Sequence, residues 1–279
     1  MSTQITTAMV EQYRSNVLML SQQKGSKLRG TVRTEMVTGK NAYFERIGAV
    51  DMVDATSRHD DTPQIDTPHT RRRVSLTTSR WADLIDNADR VRTLIDPQSP
   101  YAMNAAWAAG RKMDSVLVTA MFGNAYGGVA GATTVALPSA QKVAAASTGL
   151  TIAKLIAAKE ILLEADVDME NVYCIIEPAG LTDLLGTTQI TSVDYNTVKA
   201  LVAGAIDTFM GFKFIVTNQM TALKAAVYAK NAMALAVGSE PRIRISERDD
   251  KNYSTQVFVE MDIGATRVED EGVVEISYV

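Results

Sequence analysis

The chain contains one cysteine and two histidines, and both shortages narrow the chemistry open to it. With Cys174 alone, no internal disulfide can form. Cys174 lies in the apolar run Val172-Tyr173-Cys174-Ile175-Ile176, which reads as a buried inert thiol rather than a nucleophile. His59 and His69 sit beside Asp60, Asp61 and Asp66 in a polar stretch whose spacing matches no zinc motif, so the expectation there is a solvated loop. The same stretch carries no serine–base pairing, so a hydrolytic triad has no support. No apolar run approaches the ~20 residues of a membrane span, and the N-terminus lacks the charged-then-apolar layout of a signal peptide. The expectation is a soluble protein made in a reducing cytoplasm, with no metal and no cofactor. Aromatic residues are also scarce, at 6%, so any core must be built from aliphatic side chains.

Such side chains are plentiful. Of 279 residues 46% are hydrophobic and 22% charged, enough for one large domain or two small ones. The net charge of −4 argues for no polyanion partner, but it is unevenly spread. Residues 1–50 carry seven basic and three acidic residues, a balance of +4, whereas residues 240–279 carry five basic and ten acidic, a balance of −5. That asymmetry suits an N-terminus facing nucleic acid or a partner; chance clustering on solvated faces is the plainer alternative.

Along the chain, Met9, Tyr13, Val17 and Leu20 mark one helical face in an arm over residues 1–28. Residues 29–79 hold strand-like pieces at 28–37, 43–53 and 73–78, a turn at 38–41, and a polar stretch at 54–70 containing Pro63 and Pro68. This reads as a long projecting hairpin with too few apolar residues to bury itself, hence mobile in a free subunit. Arg71, Arg72 and Arg73 could grip a phosphate or a carboxylate, or simply begin a solvated strand. Trp81, Leu84, Ile85, Ala88, Val91 and Ile95 suggest a helix over 80–96. After Pro97, Ser99 as N-cap and Pro100 at the first helical position open a helix of about six turns. Its stripe runs Met103, Ala106, Trp107, Gly110, Met113, Leu117, Ala120 and Met121, and Gly123 ends it.

Residues 123–150 read as a loop; their glycines are followed by no Gly-Lys-Ser/Thr and make no phosphate loop. Thr151 caps a further helix, 172–176 is a buried strand, and Pro178 starts a short helix to Leu185. Residues 196–203 and 231–237 read as helix, 209–216 as a strand bent at Gly211, 226–229 as strand, and the last forty residues as mostly β. There is no period of 20–50 residues, which excludes a solenoid.

Several stretches, taken in order, resemble the major capsid proteins of tailed phages. They are Gln22-Gln23-Lys24-Gly25-Ser26-Lys27-Leu28-Arg29; Asp61-Thr62-Pro63 with Arg71-Arg72-Arg73; Trp81-Ala82-Asp83-Leu84-Ile85-Asp86; Leu94-Ile95-Asp96-Pro97 with Ser99-Pro100-Tyr101; Gly110-Arg111-Lys112-Met113-Asp114; Asp194-Tyr195-Asn196 through Gly204; and Gly211-Phe212-Lys213-Phe214. The resemblance implies an α+β protein with the Hong Kong ninety-seven type capsid fold. On that analogy residues 1–28 are the N-terminal arm and 29–79 the extended loop. Residues 80–140 and 240–264 form a peripheral domain with a spine helix at about 100–122, and 141–239 with 265–279 the axial domain.

It further implies a shell protein without catalytic turnover, assembling with itself as pentamers and hexamers into the icosahedral capsid of a double-stranded DNA phage, made in the bacterial cytoplasm and ending in the virion. Its partners would be a separate scaffolding protein, since no long helical segment precedes the arm, a portal protein, a decoration protein and non-specifically packaged DNA. No membrane is implied. Arg71, Arg72 and Arg73, together with Lys40 and Asn41 at the expected hairpin tip, become candidate inter-subunit contacts, and Lys24, Lys27 and Arg29 candidate DNA-facing residues. Some relatives join subunits through a loop lysine and an asparagine; no acidic catalyst pairs with Lys40 and Asn41 by position, so non-covalent assembly is expected. An encapsulin-like compartment for cargo enzyme and an intracellular α/β enzyme are the rival readings.

Overall fold

A computed structural model describes residues 22–54, 57–58, 61–62, 64–86, 98–186, 208–221 and 223–279. The expected helices at 9–20 and 196–203, and the second half of the one expected at 80–96, lie outside them.

The chain enters along residues 22–32 and forms β1 (Arg33–Met36), β2 (Asn41–Ile47), β3 (His69–Ser75) and β4 (Thr77–Ile85). The long helix α1 (Gln98–Phe122) follows, then the short strands β5 (Ala125–Gly127), β6 (Thr133–Val135) and β7 (Lys142–Val143). Next come α2 (Ile152–Glu164), β8 (Val172–Ile176), α3 (Pro178–Gly186), β9 (Thr208–Phe209), β10 (Phe212–Val216) and β11 (Lys224–Ala229). Three strands close the chain: β12 (Met233–Arg248), β13 (Ser254–Arg267) and β14 (Val273–Ser277).

These strands make three sheets. One runs β1-β12-β13-β4, one β7-β14-β11-β8-β10-β9, and one β2-β3-β5-β6. The first is dominated by the antiparallel pair β12–β13, which turns through Asp249–Lys251 with Asn252 and Tyr253 in the left-handed region. α1 covers its inner face. The buried positions of the helix, Ala105, Ala109, Met113, Leu117 and Met121, recur every fourth residue. They meet Val259 and Met261, which alternate along β13 in the same core. Met103 and Ala106, expected on the buried stripe, are exposed.

The six-stranded sheet is the most apolar part of the molecule. β8 and β11 lie at its centre, paired antiparallel, with α2 packed alongside. The side chain of Thr151 accepts from the Lys154 backbone N–H and starts α2, as its N-cap position foretells. Met210 and Gly211, both at positive φ, let β9 turn tightly into β10.

Two segments expected to be helical are strand where described: 80–85 of the helix expected at 80–96, and 233–237 of that expected at 231–237. Residues 77–85 pair along β13 from Thr77↔Ile263 to Ile85↔Thr255, and Met233 opens β12 rather than closing a helix. In both segments the apolar residues fit a strand period as well as a helical one. Long-range pairing then decides, because each strand gains a neighbour that buries its inner face. β12 therefore begins seven residues before 240, the expected entry into the peripheral domain.

Candidate assembly surfaces and a buried arginine node

The hairpin of residues 41–75 is real but differently built from the expectation. β2 pairs antiparallel with β3 from Asn41↔Ser75 to Ile47↔His69, while β1 leaves it to pair parallel with β12. Lys40 and Asn41 thus stand at the base of the hairpin, not its tip. The Leu76 backbone N–H donates to the Lys40 carbonyl at 3.0 Å, and the Ser75 hydroxyl donates to Asn41 Oδ1 at 2.8 Å. Beyond Gly48, whose N–H donates to the Pro68 carbonyl at 2.9 Å, the described residues of the tip form no strand, and Val50, Met52 and Val53 are exposed.

The base is not free. Phe44 and Val74 are buried in a small cluster with Ala234, Ala236 and Val268. The Gly- and Thr-rich segment expected to be a loop supplies β5 and β6, which extend the hairpin into a four-stranded sheet through Arg72↔Gly127 and Arg73↔Tyr126. Gly131, at φ +64°, passes so close to Arg73 that an added Cβ would stand 2.5 Å from the arginine Cβ, so no larger residue fits that turn.

The three consecutive arginines go three ways. Arg71 pairs with Glu45 at 3.0 Å and lies over the Tyr43 ring, with 39% of its side chain exposed. Arg73 lies over the Tyr126 ring at 5.2 Å. Arg72 points inward, 6% exposed, and donates to Asp270 at 2.5 Å. Burial pushes its guanidinium below the ordinary arginine value, Asp270 pulls it back up, and Arg46 and Arg267 lower it further. Arg72 therefore presents almost no surface outside its own chain.

Asp270 also accepts from Arg267 at 2.5 Å, and Arg267 is fully buried. Its other nitrogens donate to the carbonyls of Met121 and Gly123 at the C-terminal end of α1, at 3.0 and 2.9 Å, and to Val135 of β6 at 3.1 Å. A cation placed on orphan carbonyls at a helix C-terminus is favourable on both hydrogen-bond and dipole grounds. One buried node thus ties the end of α1, the end of β13, β6 and the hairpin base together.

At the other end of the described chain, residues 22–31 dock on α1. Asp114, fully buried, accepts from the side chains of Gln23 and Ser26 and from the backbone N–H groups of Lys27 and Leu28 at 3.0 and 3.1 Å. A carboxylate with four donors is a satisfied buried charge. Gly110 makes room for this segment, since an added Cβ would fall 2.4 Å from the Gly25 carbonyl carbon. Leu28 is fully buried in the main core, so residues 22–28 belong to the subunit's body rather than to a free arm.

The expected DNA-facing cations are engaged here. Lys24 lies over the Trp107 ring at 5.6 Å, Lys27 donates to the Val216 carbonyl at 2.8 Å, and Arg29 forms a two-pronged pair with Glu240.

Asp114 and Arg267 were legible in principle. Asp114 lies four residues after Gly110, on the buried stripe of α1, and Arg267 continues the inward alternation of Val257, Val259, Met261, Ile263 and Ala265. A lone charge on an apolar face marks a partnered group.

Cys174 is fully buried, and burial pushes its thiol up, away from the reactive thiolate. Among the described residues no cluster of His, Cys, Asp and Glu could hold a metal, and no helix is long and apolar enough to cross a membrane.

The family model for phage capsid proteins matches residues 5–279. No curated protein matches the chain. Among solved structures, the capsid of cyanophage P-SCSP1u is 14% identical with a TM-score of 0.75, covering 98% of this chain and 94% of that one. The capsid of Ralstonia phage GP4 is 11% identical with a TM-score of 0.75, covering 97% and 95%. The mature capsid of bacteriophage PhiM1 is 12% identical with a TM-score of 0.69, covering 97% and 92%. At these identities the likeness establishes a shared fold.

Proposed function

The chain belongs to the phage capsid protein family, a major capsid protein that forms the phage shell with the Hong Kong ninety-seven type fold, and from that premise we propose how it does so. The observation that carries the reading is the family match over residues 5–279, nearly the whole chain.

Many identical copies associate as pentamers and hexamers into an icosahedral shell around the double-stranded DNA of a tailed phage. The sheet β1-β12-β13-β4 with α1 serves as the peripheral domain, and the six-stranded sheet as the axial domain. The tip of the hairpin, residues 48–68, lies over a neighbouring copy. What supports this is its exposure: Val50, Met52, Val53 and Ile65 are exposed, although the hairpin base below them is packed. Apolar groups presented this way gain from cover by another surface.

The chain performs no catalytic turnover; its chemistry is association, and the buried ion clusters fix shape rather than activate a reactant. Assembly is non-covalent. Arg71 remains the most available of the three consecutive arginines for an inter-subunit contact, with Arg73, Lys40 and Asn41 beside it. Lys24, Lys27 and Arg29 meet packaged DNA only through whatever charge their contacts within the subunit leave unscreened, so that contact is weak and salt-sensitive. A scaffolding protein, a portal protein and a decoration protein complete the assembly, and the chain is made in the host cytoplasm before entering the virion.

Electron microscopy of the purified protein, alone and co-expressed with the phage's scaffolding protein, tests the reading. Uniform closed shells are expected. A chain that stays monomeric under both conditions would overturn it.

A further inference from the structure

β12 is paired on both sides only in its first part. β1 reaches no further than Met36↔Val237, while β13 accompanies β12 to Arg248. After the register shifts between Val237 and Arg242, residues 242–248 thus have one sheet neighbour among the described residues and form an open edge there. Residues 242–247 are exposed, including Ile243 and Ile245. Among the described residues Arg242 and Arg244 take part in none of the ion pairs, unlike Arg29, Arg80 and Arg248. A seven-residue open edge, about 23 Å long at 3.3 Å per residue, with basic and apolar residues alternating over Arg242-Ile243-Arg244-Ile245, invites another strand.

The same chain carries a segment that matches it. Residues 48–54, Gly-Ala-Val-Asp-Met-Val-Asp, leave the hairpin ladder at Gly48, form no strand, and are exposed throughout. Val50 and Met52 fall on one face of an extended chain, Asp51 on the other. With Asp51 set opposite Arg244 in an antiparallel pairing, Val50 comes opposite Ile245 and Met52 opposite Ile243. At these three positions acid faces base and aliphatic faces aliphatic, both favourable as cross-strand pairs, while Val53 comes opposite Arg242. A parallel pairing with the same centre would set Asp54 against Glu247, which like charge disfavours.

We propose that residues 48–53 of one copy add as an antiparallel strand to the open edge of β12, residues 242–247, in a second copy. The proposal rests on the shell reading above and names the surface that receives the hairpin tip. Backbone hydrogen bonds supply the attraction, and the alternation fixes the register, since a slip of one residue would put Asp51 against an isoleucine. In the free subunit both partners stay solvated, and the open edge is capped only on assembly.

Two single-cysteine variants, D51C and R244C, test it when mixed, assembled and oxidised. A covalent dimer is expected in shells of the mixture and in neither variant assembled alone; Cys174 is buried and takes no part. Shells of the mixture that yield no dimer overturn the docking while leaving the shell reading intact. A D51C/R244C double variant that closes a bridge within one free subunit overturns it as well. Should the variants assemble poorly, unmodified protein gives an independent answer. Amide exchange across residues 242–248 is expected to slow markedly between free subunits and shells, and exchange that does not change overturns the proposal. Unmodified protein that forms no shell at all overturns the shell reading itself.

Discussion

The six-stranded sheet and the hairpin sheet are held to the same molecule by different physics. At the centre of the first, β8 and β11 present Val172, Cys174, Ile175, Ile176, Ala225, Ala226, Val227 and Tyr228, all buried, and the buried charge of β14, Glu275, is matched by Lys224 and Lys142. The hairpin sheet buries Phe44 and Val74 in a cluster of five residues and relies on Arg72, Asp270 and Arg267 for the rest. Apolar burial is non-directional and spreads over many residues. An ion cluster is directional and local. The difference teaches that the hairpin is fastened at one point near its base while its far end remains open to a neighbour, and that the six-stranded sheet is the part of the subunit least able to change.

Substitutions should separate the two. The largest effect belongs to Arg267→Met, which takes one of the two arginines from Asp270 and leaves the Met121, Gly123 and Val135 carbonyls without their donor. A loss of about 3–5 kcal/mol is expected in thermal or denaturant unfolding, with amide exchange rising first in β2 and β3. An unchanged transition would mean the node does not join the regions. Next comes Leu162→Ala, which opens a cavity under the six-stranded sheet and should cost about 2–5 kcal/mol, lowering the single global transition.

Phe44→Ala removes the larger apolar anchor of the hairpin. Because its cluster is small, a loss near 3 kcal/mol, the lower end for a buried aromatic, is expected. It should appear as local exchange in the hairpin with little change in α2 and β8. If the hairpin instead melts only with the whole molecule, the two regions are one cooperative unit.

The smallest effect concerns alkaline pH. Burial pushes the Tyr278 phenol up to about 12, from 10 in the unfolded chain, and its hydroxyl has no hydrogen-bond partner. The folded state thus holds its proton longer than the unfolded state does. The resulting stability is fully present below pH 10 and is lost as pH rises toward 12. Tyr278→Phe should leave stability at pH 7 nearly unchanged and flatten part of the fall between pH 10 and 12. A titration curve identical to that of the unmodified protein would contradict this.

Local signals carried much of this fold. The Pro97–Pro100 punctuation foretold α1, Thr151 and Pro178 the starts of the next two helices, and the apolar run at 172–176 a fully buried strand. Where apolar spacing was ambiguous the sequence misled, as at Trp81, Leu84 and Ile85, which lie in β4. The same ambiguity hid the partner of residues 33–36. Nothing near them announces a parallel pairing with residues 234–237, two hundred positions away.

The sequence by itself determined the class of protein: aliphatic, poor in histidine and cysteine, with a long helix, a late β-rich half and an order of motifs shared with phage capsid proteins. Those properties follow from composition and from interactions a few residues long. Only the tertiary structure decided the roles of the charged residues. Arg72 is buried and Arg71 only half-buried because β3 alternates its faces and one face meets Asp270 and Arg267. Asp114 is a clamp because Gly110 lets residues 23–28 reach it. Whether a charge becomes an anchor, a solvated group or a docking contact depends on what the distant chain places beside it, since desolvation and pairing are set by neighbours in space rather than in sequence.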